Sequence, residues 1–250
     1  MNREASLLPP YISTRFSARC VAGMLLASAA VAWLAVGVNF AEIRRVRDVA
    51  GGGSTTVQER VAYELTGRAV RGSQIALVIG TGVIFLTWLY RARVNVRAFG
   101  ARRLRFSRNW TVLGFLIPFA NIVLPYRVIR EVWQASDPST TAPFDWRVVR
   151  PGPLLSIWWA LFVCYIWFEL AAMIMTLSGS YSYERLQLTY GMALVADVAA
   201  ALAAGLCYFV VVRISDAQER KWELLAAGES PSWSPGEPGE TGEAGLGARA

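Results

Sequence analysis

Residues 188–212 read LTYGMALVADVAAALAAGLCYFVVV, and this run decides the fold. It is 25 residues long and holds one charged side chain, Asp197. An α-helix rises ~1.5 Å per residue, so about 20 apolar residues cover the ~30 Å hydrocarbon core of a bilayer. Three more runs have the same character. Residues 20–40 (CVAGMLLASAAVAWLAVGVNF) and 73–90 (SQIALVIGTGVIFLTWLY) carry no charge. Residues 154–177 (LLSIWWALFVCYIWFELAAMIMTL) carry only Glu169. The expectation is an all-α polytopic membrane protein with four transmembrane helices in one membrane domain over residues 20–215.

Clustering of the apolar residues, not their total, points to a bilayer. Hydrophobic residues make up 54% of the 250-residue chain, a share that soluble domains already approach. The segments between the runs supply the organisation. Residues 1–19 form a short basic lead with Arg3, Arg15 and Arg19. The apolar run that follows is too long for the core of a cleaved secretory signal, which predicts an uncleaved signal anchor. Residues 41–72 read as a polar connection with Gly51-Gly52-Gly53 and a short helix over residues 57–68. The link between the third and fourth runs, residues 178–187, is so short that those helices must form an antiparallel hairpin. Residues 216–250 read as a helical extension followed by a tail rich in Gly, Pro, Ser and Glu, of the composition that stays disordered.

A fifth apolar run, residues 110–125, lies in the long connection. As a helix it reaches ~24 Å, short of the hydrocarbon core. Pro118 interrupts it, and each backbone donor that proline removes must be replaced by a neighbour in lipid. Residues 110–136 therefore read as a re-entrant or interfacial segment, ending in an amphipathic helix that sets Trp133 at headgroup level.

Charge gives the orientation. Lys221 is the single lysine among 25 basic residues, against 18 acids. With four crossings and a cytoplasmic start, 18 basic residues fall inside and 7 outside, which satisfies the positive-inside bias. The expected location is the cell membrane, multi-pass, with both termini cytoplasmic. Histidine is absent, which removes imidazole bases, His-containing triads and most zinc sites. Cys20, Cys164 and Cys207 lie one to a span, without metal-ligand or disulfide spacing. No nucleotide loop or nucleophile elbow is present. The sequence thus points to no catalytic residue, no metal and no cofactor, and to a protein that is not an enzyme.

Two constellations remain as candidate sites. Arg91, Arg93, Arg97, Arg102, Arg103, Arg105 and Arg108 contain no acid among them and follow directly on the second span. Beside anionic headgroups each contributes about 1 kcal/mol, so they are candidate contacts to anionic lipid; the plainer reading is orientation and anchoring alone. Nucleic acid is not the expected partner.

The second constellation is Glu169 with Asp197. In an antiparallel hairpin both fall ~5 Å to the outer side of the bilayer centre, where a carboxylate must face the bundle. Two carboxyls there form a candidate proton or cation site, sharing one proton; the plainer reading is a hydrogen-bonded lock between two helices. Asn39, Gln74 and Thr81 belong to the outer halves of the other spans and are candidates to line the same cavity.

The chain also resembles a known family. The shared residues run Trp88-Leu-Tyr-Arg-Ala-Arg93-Val-Asn95, Phe106-Ser107 with Trp110, Ile117-Pro118 with Asn121, and Pro125-Tyr126. They continue through Arg130-Glu-Val-Trp133-Gln-Ala-Ser136 and Pro151 with Trp158-Trp159. In these it resembles uncharacterised bacterial integral-membrane proteins, the domain of unknown function 4328, over about residues 75–215. The resemblance implies a multi-span membrane module without an assigned activity, so no catalytic residue transfers.

The expected function is a non-enzymatic interaction module associated with anionic lipid on the cytoplasmic side. A membrane-protein partner or a second copy of the chain are further candidates. The alternative is a small proton- or cation-coupled transporter built on the carboxylate pair.

Overall fold

The structure is a computed structural model that describes residues 10–102, 104–106, 120–140, 145–179 and 182–227. Among these the chain is helical, with no strand. Five α-helices follow in order: α1 (Arg15–Ala50), α2 (Val57–Ala98), α3 (Ala120–Ala135), α4 (Pro153–Leu177) and α5 (Tyr183–Ala227). Four of them, α1, α2, α4 and α5, are long and apolar enough to cross a membrane. The part of the fifth apolar run over residues 110–119 lies outside the described residues, as do Arg103, Arg108 and the tail from residue 228.

The helices overrun the apolar windows at both ends. The polar connection expected over residues 41–72 shrinks to residues 51–56, because α1 continues to Ala50 and α2 already begins at Val57. The short helix expected at 57–68 is thus the first part of α2. Thr56 starts it with a capping box: its Oγ1 accepts from the Glu59 backbone N–H, and the Glu59 carboxylate accepts from the Thr56 N–H. Two orphan donors of the first turn are thereby satisfied. At the other end Gly100 takes φ +78°, a conformation open to glycine without strain, and turns the chain away from α2.

Packing follows side-chain size. α1 and α5 pack most extensively, α4 lies on the other flank of α5, and α2 on the other flank of α1. The buried face of α1 carries Ala18, Ala22, Ala32 and Ala35, and that of α5 carries Ala193, Ala196, Ala199 and Ala203. Small residues let helix backbones approach closely, the main route to helix association in lipid. α2 and α4 barely approach at backbone level. Side chains bridge their seam at two heights: the rings of Phe85 and Trp158, 6.4 Å apart, and Arg71 with Glu169.

The core is concentrated at the end of the bundle where α1 starts and α5 finishes, here called the proximal end. Val21 and Leu25 of α1, Trp88 and Leu89 of α2, Ile129 and Val132 of α3, Leu155 and Trp158 of α4, and Val210 and Ile214 of α5 form one cluster. Every helix contributes to it. Towards the opposite, distal end the outer faces of α2 and α4 are exposed, with Ile75, Val78, Ile79, Trp167, Met173 and Ile174 among the uncovered side chains.

α3 contains Pro125 within the helix. Proline loosens the hydrogen-bond ladder one turn upstream, and there the Trp159 indole N–H donates to the Ile122 carbonyl at 2.8 Å. The proline withholds its own donor from the Asn121 carbonyl, so the neighbouring helix donates to the carbonyl next to the one left without its usual partner.

Candidate functional site

Two polar assemblies lie about one hydrocarbon thickness apart. The first is at the proximal end. Trp88 Nε1 donates to Ser215 Oγ at 2.9 Å, and Arg15 pairs with Glu219 at 3.7 Å. These contacts set Arg19, Arg91 and Arg213 within a band about 10 Å deep, counting ~1.5 Å per residue along each helix. Arg15, Arg19, Arg91, Arg97, Arg213 and Arg220 are all exposed in or just below that band, and Arg102 and Arg105 are exposed in the segment after α2.

Arg93 departs from the expectation that the whole arginine cluster faces lipid. It is 2% exposed and pairs with the equally buried Glu131 of α3 at 3.2 Å. Its guanidinium also donates to the Phe106 carbonyl, while the Arg105 backbone N–H donates to Glu131 at 2.6 Å. Arg93 is withdrawn from lipid because its position falls on the face of α2 that carries Leu89, Ala92 and Val96. It ties the post-α2 segment to α3. Arg91, Arg97, Arg102 and Arg105 remain at the surface, and Arg103 and Arg108 lie outside the described residues.

A second buried network lies beside this pair. The Asn95 side chain accepts from the Ile12 N–H and donates to the Ile12 carbonyl and to Gln218 Oε1. Gln218 donates to the Ala92 carbonyl and to Ser136 Oγ. Lys221 donates to the Ala135 and Asp137 carbonyls and to Thr140 Oγ1 at 2.7–3.1 Å. Tyr11 stacks on Trp222, with centroids 4.9 Å apart. The segment before α1, the end of α2, the end of α3 and the extension of α5 are thus held together by side-chain amides and one ammonium. Sequence reasoning did not single out Asn95, Gln218 or Lys221 as a group. A signal existed: the core face of α5 continues past Arg213 at helical spacing through Ile214, Ser215, Gln218 and Lys221, all buried.

The second assembly is the distal polar layer, which gathers the two predicted carboxylates. Asp197 accepts from Asn39 Nδ2 at 2.6 Å on one oxygen and from Gln74 Nε2 at 2.6 Å on the other. Glu169 accepts from Arg71 at 2.5 Å. The two acids therefore have separate partners and share no hydrogen bond. Each Asp197 oxygen thus accepts one amide N–H. Thr81 takes no part, and its hydroxyl lies 3.2 Å from that of Ser28.

The layer also stands further from the bilayer centre than equal spans would place it. From Arg213 to Asp197 is ~24 Å of helix, and from Arg19 to Asn39 or from Arg91 to Arg71 is ~30 Å. Asp197 is thus close to the far boundary of a ~30 Å slab, because the apolar window of α5 overruns those of α1 and α2. Arg71 is the residue that sequence reasoning missed. It stands just before the second apolar run, where its long stem lets the charged head reach a neighbouring helix. Among the described residues no group of acids and cysteines has the arrangement of a metal site.

Residues 54–216 match the family described as domain of unknown function 4328 (DUF4328). The chain belongs to this family. The match takes in α2, α3, α4 and α5 as far as Asp216, and with them Arg93, Asn95, Glu131, Glu169 and Asp197. α1, Gln218 and Lys221 fall outside it. No curated protein and no solved structure matches the chain.

Proposed function

We propose that this chain is an integral membrane protein without enzymatic activity that binds anionic lipid at its proximal end. It crosses the bilayer four times, with both termini in the cytoplasm, and acts through its contacts with lipid or another membrane protein. The observation that carries this reading is the band of exposed arginines drawn from α1, α2 and α5, set against exposed apolar helix faces. Arginine heads at that level meet phosphate, and each contributes about 1 kcal/mol.

Titration of the detergent-solubilised protein with fluorescent phosphatidylglycerol and phosphatidylcholine tests it. The reading predicts tighter binding of the anionic lipid, with the preference falling when Arg91, Arg97, Arg102 and Arg105 are replaced by Gln. Equal binding of the two lipids by the native chain would contradict it.

One observation favours a second reading, a proton- or cation-coupled transporter. Arg71 pairs with Glu169, whereas Asp197 is held by two neutral amides and forms no ion pair among the described residues. Carboxyls within spanning helices are a recurrent feature of ion pathways, and this one stands where a pathway would open on the outer side. Flux into proteoliposomes that disappears in Asp197→Asn would support this reading, whereas equal flux in native and variant protein would dispose of it.

A further inference from the structure

A groove of about 310 Å³ runs between α1 and α5 at the proximal end. From α1 it takes Arg15, Ala18, Arg19 and Ala22, which recur at three- and four-residue spacing and so share one face. From α5 it takes Tyr208, Val212, Ser215 and Asp216. The two sets run in opposite directions and meet charge to charge. Arg15, Arg19, Ser215 and Asp216 lie at the proximal mouth, while Ala22, Tyr208 and Val212 continue towards the apolar slab.

The charged groups at the mouth are differently committed. Arg15 leans on Glu219 and Glu223, at 3.7 and 3.5 Å. Arg19 and Asp216 are both exposed, and among the described residues neither side chain takes part in a hydrogen bond or ion pair. A free guanidinium and a free carboxylate therefore flank the same opening, on neighbouring helices, at the level of the headgroups. A plain anion would be attracted by one and repelled by the other. A ligand that satisfies both carries a phosphate and, next to it, a donor for the carboxylate; in an anionic lipid, which the arginine band favours, that donor is a hydroxyl and not an ammonium. It must also have an aliphatic part to lie over alanines, Val212 and the Tyr208 ring.

We infer that the α1–α5 groove is a discrete site for one phospholipid with an anionic phosphodiester and a polyol headgroup, as in phosphatidylglycerol. Its phosphate accepts from Arg19 and Arg15, its headgroup hydroxyls donate to Asp216, and one acyl chain follows the groove past Ala22 and Val212. This rests on the reading of the proximal end as an anionic-lipid surface and adds to it a place and a headgroup. Neither key side chain makes a hydrogen bond or ion pair among the described residues and both are exposed, so their substitution removes no polar contact of the bundle.

The test compares phosphatidylglycerol with phosphatidylmethanol, which has the same single phosphodiester charge but no headgroup hydroxyl. Binding of fluorescent forms of each is measured to the full chain in detergent. Arg19→Gln should weaken both lipids about fivefold, the loss of one phosphate contact near a membrane surface. Asp216→Ala should strengthen phosphatidylmethanol, because it removes a repulsion, and weaken phosphatidylglycerol, for which the lost hydroxyl acceptor outweighs the same relief. That crossing of signs supports the site.

Strengthening of both lipids by Asp216→Ala would overturn the polyol assignment. Unchanged affinities in Arg19→Gln would overturn the groove as the site; a change in oligomer size instead would show that a second copy occupies it. The broader reading fails separately, if the native chain does not distinguish anionic from neutral lipid at all.

Discussion

Glu131 shows how much a single buried charge decides here. It lies at the centre of an ion pair with Arg93, both nearly inaccessible, and it also accepts the Arg105 backbone N–H. Removing one member of such a pair leaves the other charged and unpaired, at about 3–5 kcal/mol. Glu131→Ala should therefore lower the detergent melting temperature sharply, whereas the double change Arg93→Met with Glu131→Leu should recover most of it. Equal melting of the two variants would show that the pair is not a unit.

Lys221 and Tyr11 make stability depend on alkaline pH, and both lie beyond the apolar windows. Burial lowers the Lys221 ammonium from 10.5 to about 8. A lysine that holds its proton less tightly when folded penalises the fold while charged. The penalty is relieved as pH rises through the window between 8 and 10.5. Tyr11 shifts the other way, raised from 10.0 by burial and then by the Glu219 carboxylate. Its neutral hydroxyl is favoured in the fold, so its contribution is lost once pH passes 10. Thermal melting should therefore peak near pH 10, and the rise from about pH 8 should vanish in Lys221→Met.

At the scale of the helices, the four apolar windows were legible because runs of that length with at most one charge have no other common explanation. The helix ends were not. α2 begins at Val57, not near residue 73, since Thr56 and Glu59 cap it and nothing between Val57 and Arg71 interrupts the backbone ladder. Helix-forming polar residues continue a helix as readily as apolar ones, so hydropathy marks where the environment changes and not where the helix stops. The same reasoning explains the distal layer. The carboxylates stood out by their charge, and Asn39 and Gln74 by their polarity inside spans, but Arg71 lay two residues outside a window and was assigned to a connection. Which partner each acid would choose depended on the offset of the helices, which no single window reveals.

Helix facing can be checked at one pair of positions. Ala196 is fully buried on α5, and Leu202 is 45% exposed on the same helix. Ala196→Leu should cost about 1–3 kcal/mol by overpacking, and Leu202→Ala should leave melting almost unchanged. The reverse order would mean that α5 is rotated about its axis.

For the whole molecule, the tight core and most buried polar contacts are proximal, whereas the distal half is tied by small-residue packing and a few hydrogen bonds. The stronger half is therefore the one that carries most of the arginines, and in the proposed orientation it faces the cytoplasm. This division was not legible in the sequence. It arises because α3, a helix too short to span, fills the proximal end beside α2 and α5 and brings Glu131, Ser136 and the Ala135 carbonyl to meet them.

The central claim is that four helices cross the bilayer and return the end of α5 to the side on which α1 begins. Topology reporters that report opposite sides of the membrane, fused after Gly53, Gly179 and Ala227, test it most directly. The account predicts export of the reporter at Gly53 and at Gly179, and cytoplasmic retention at Ala227. A reporter exported at Ala227, or retained at Gly53, would contradict it.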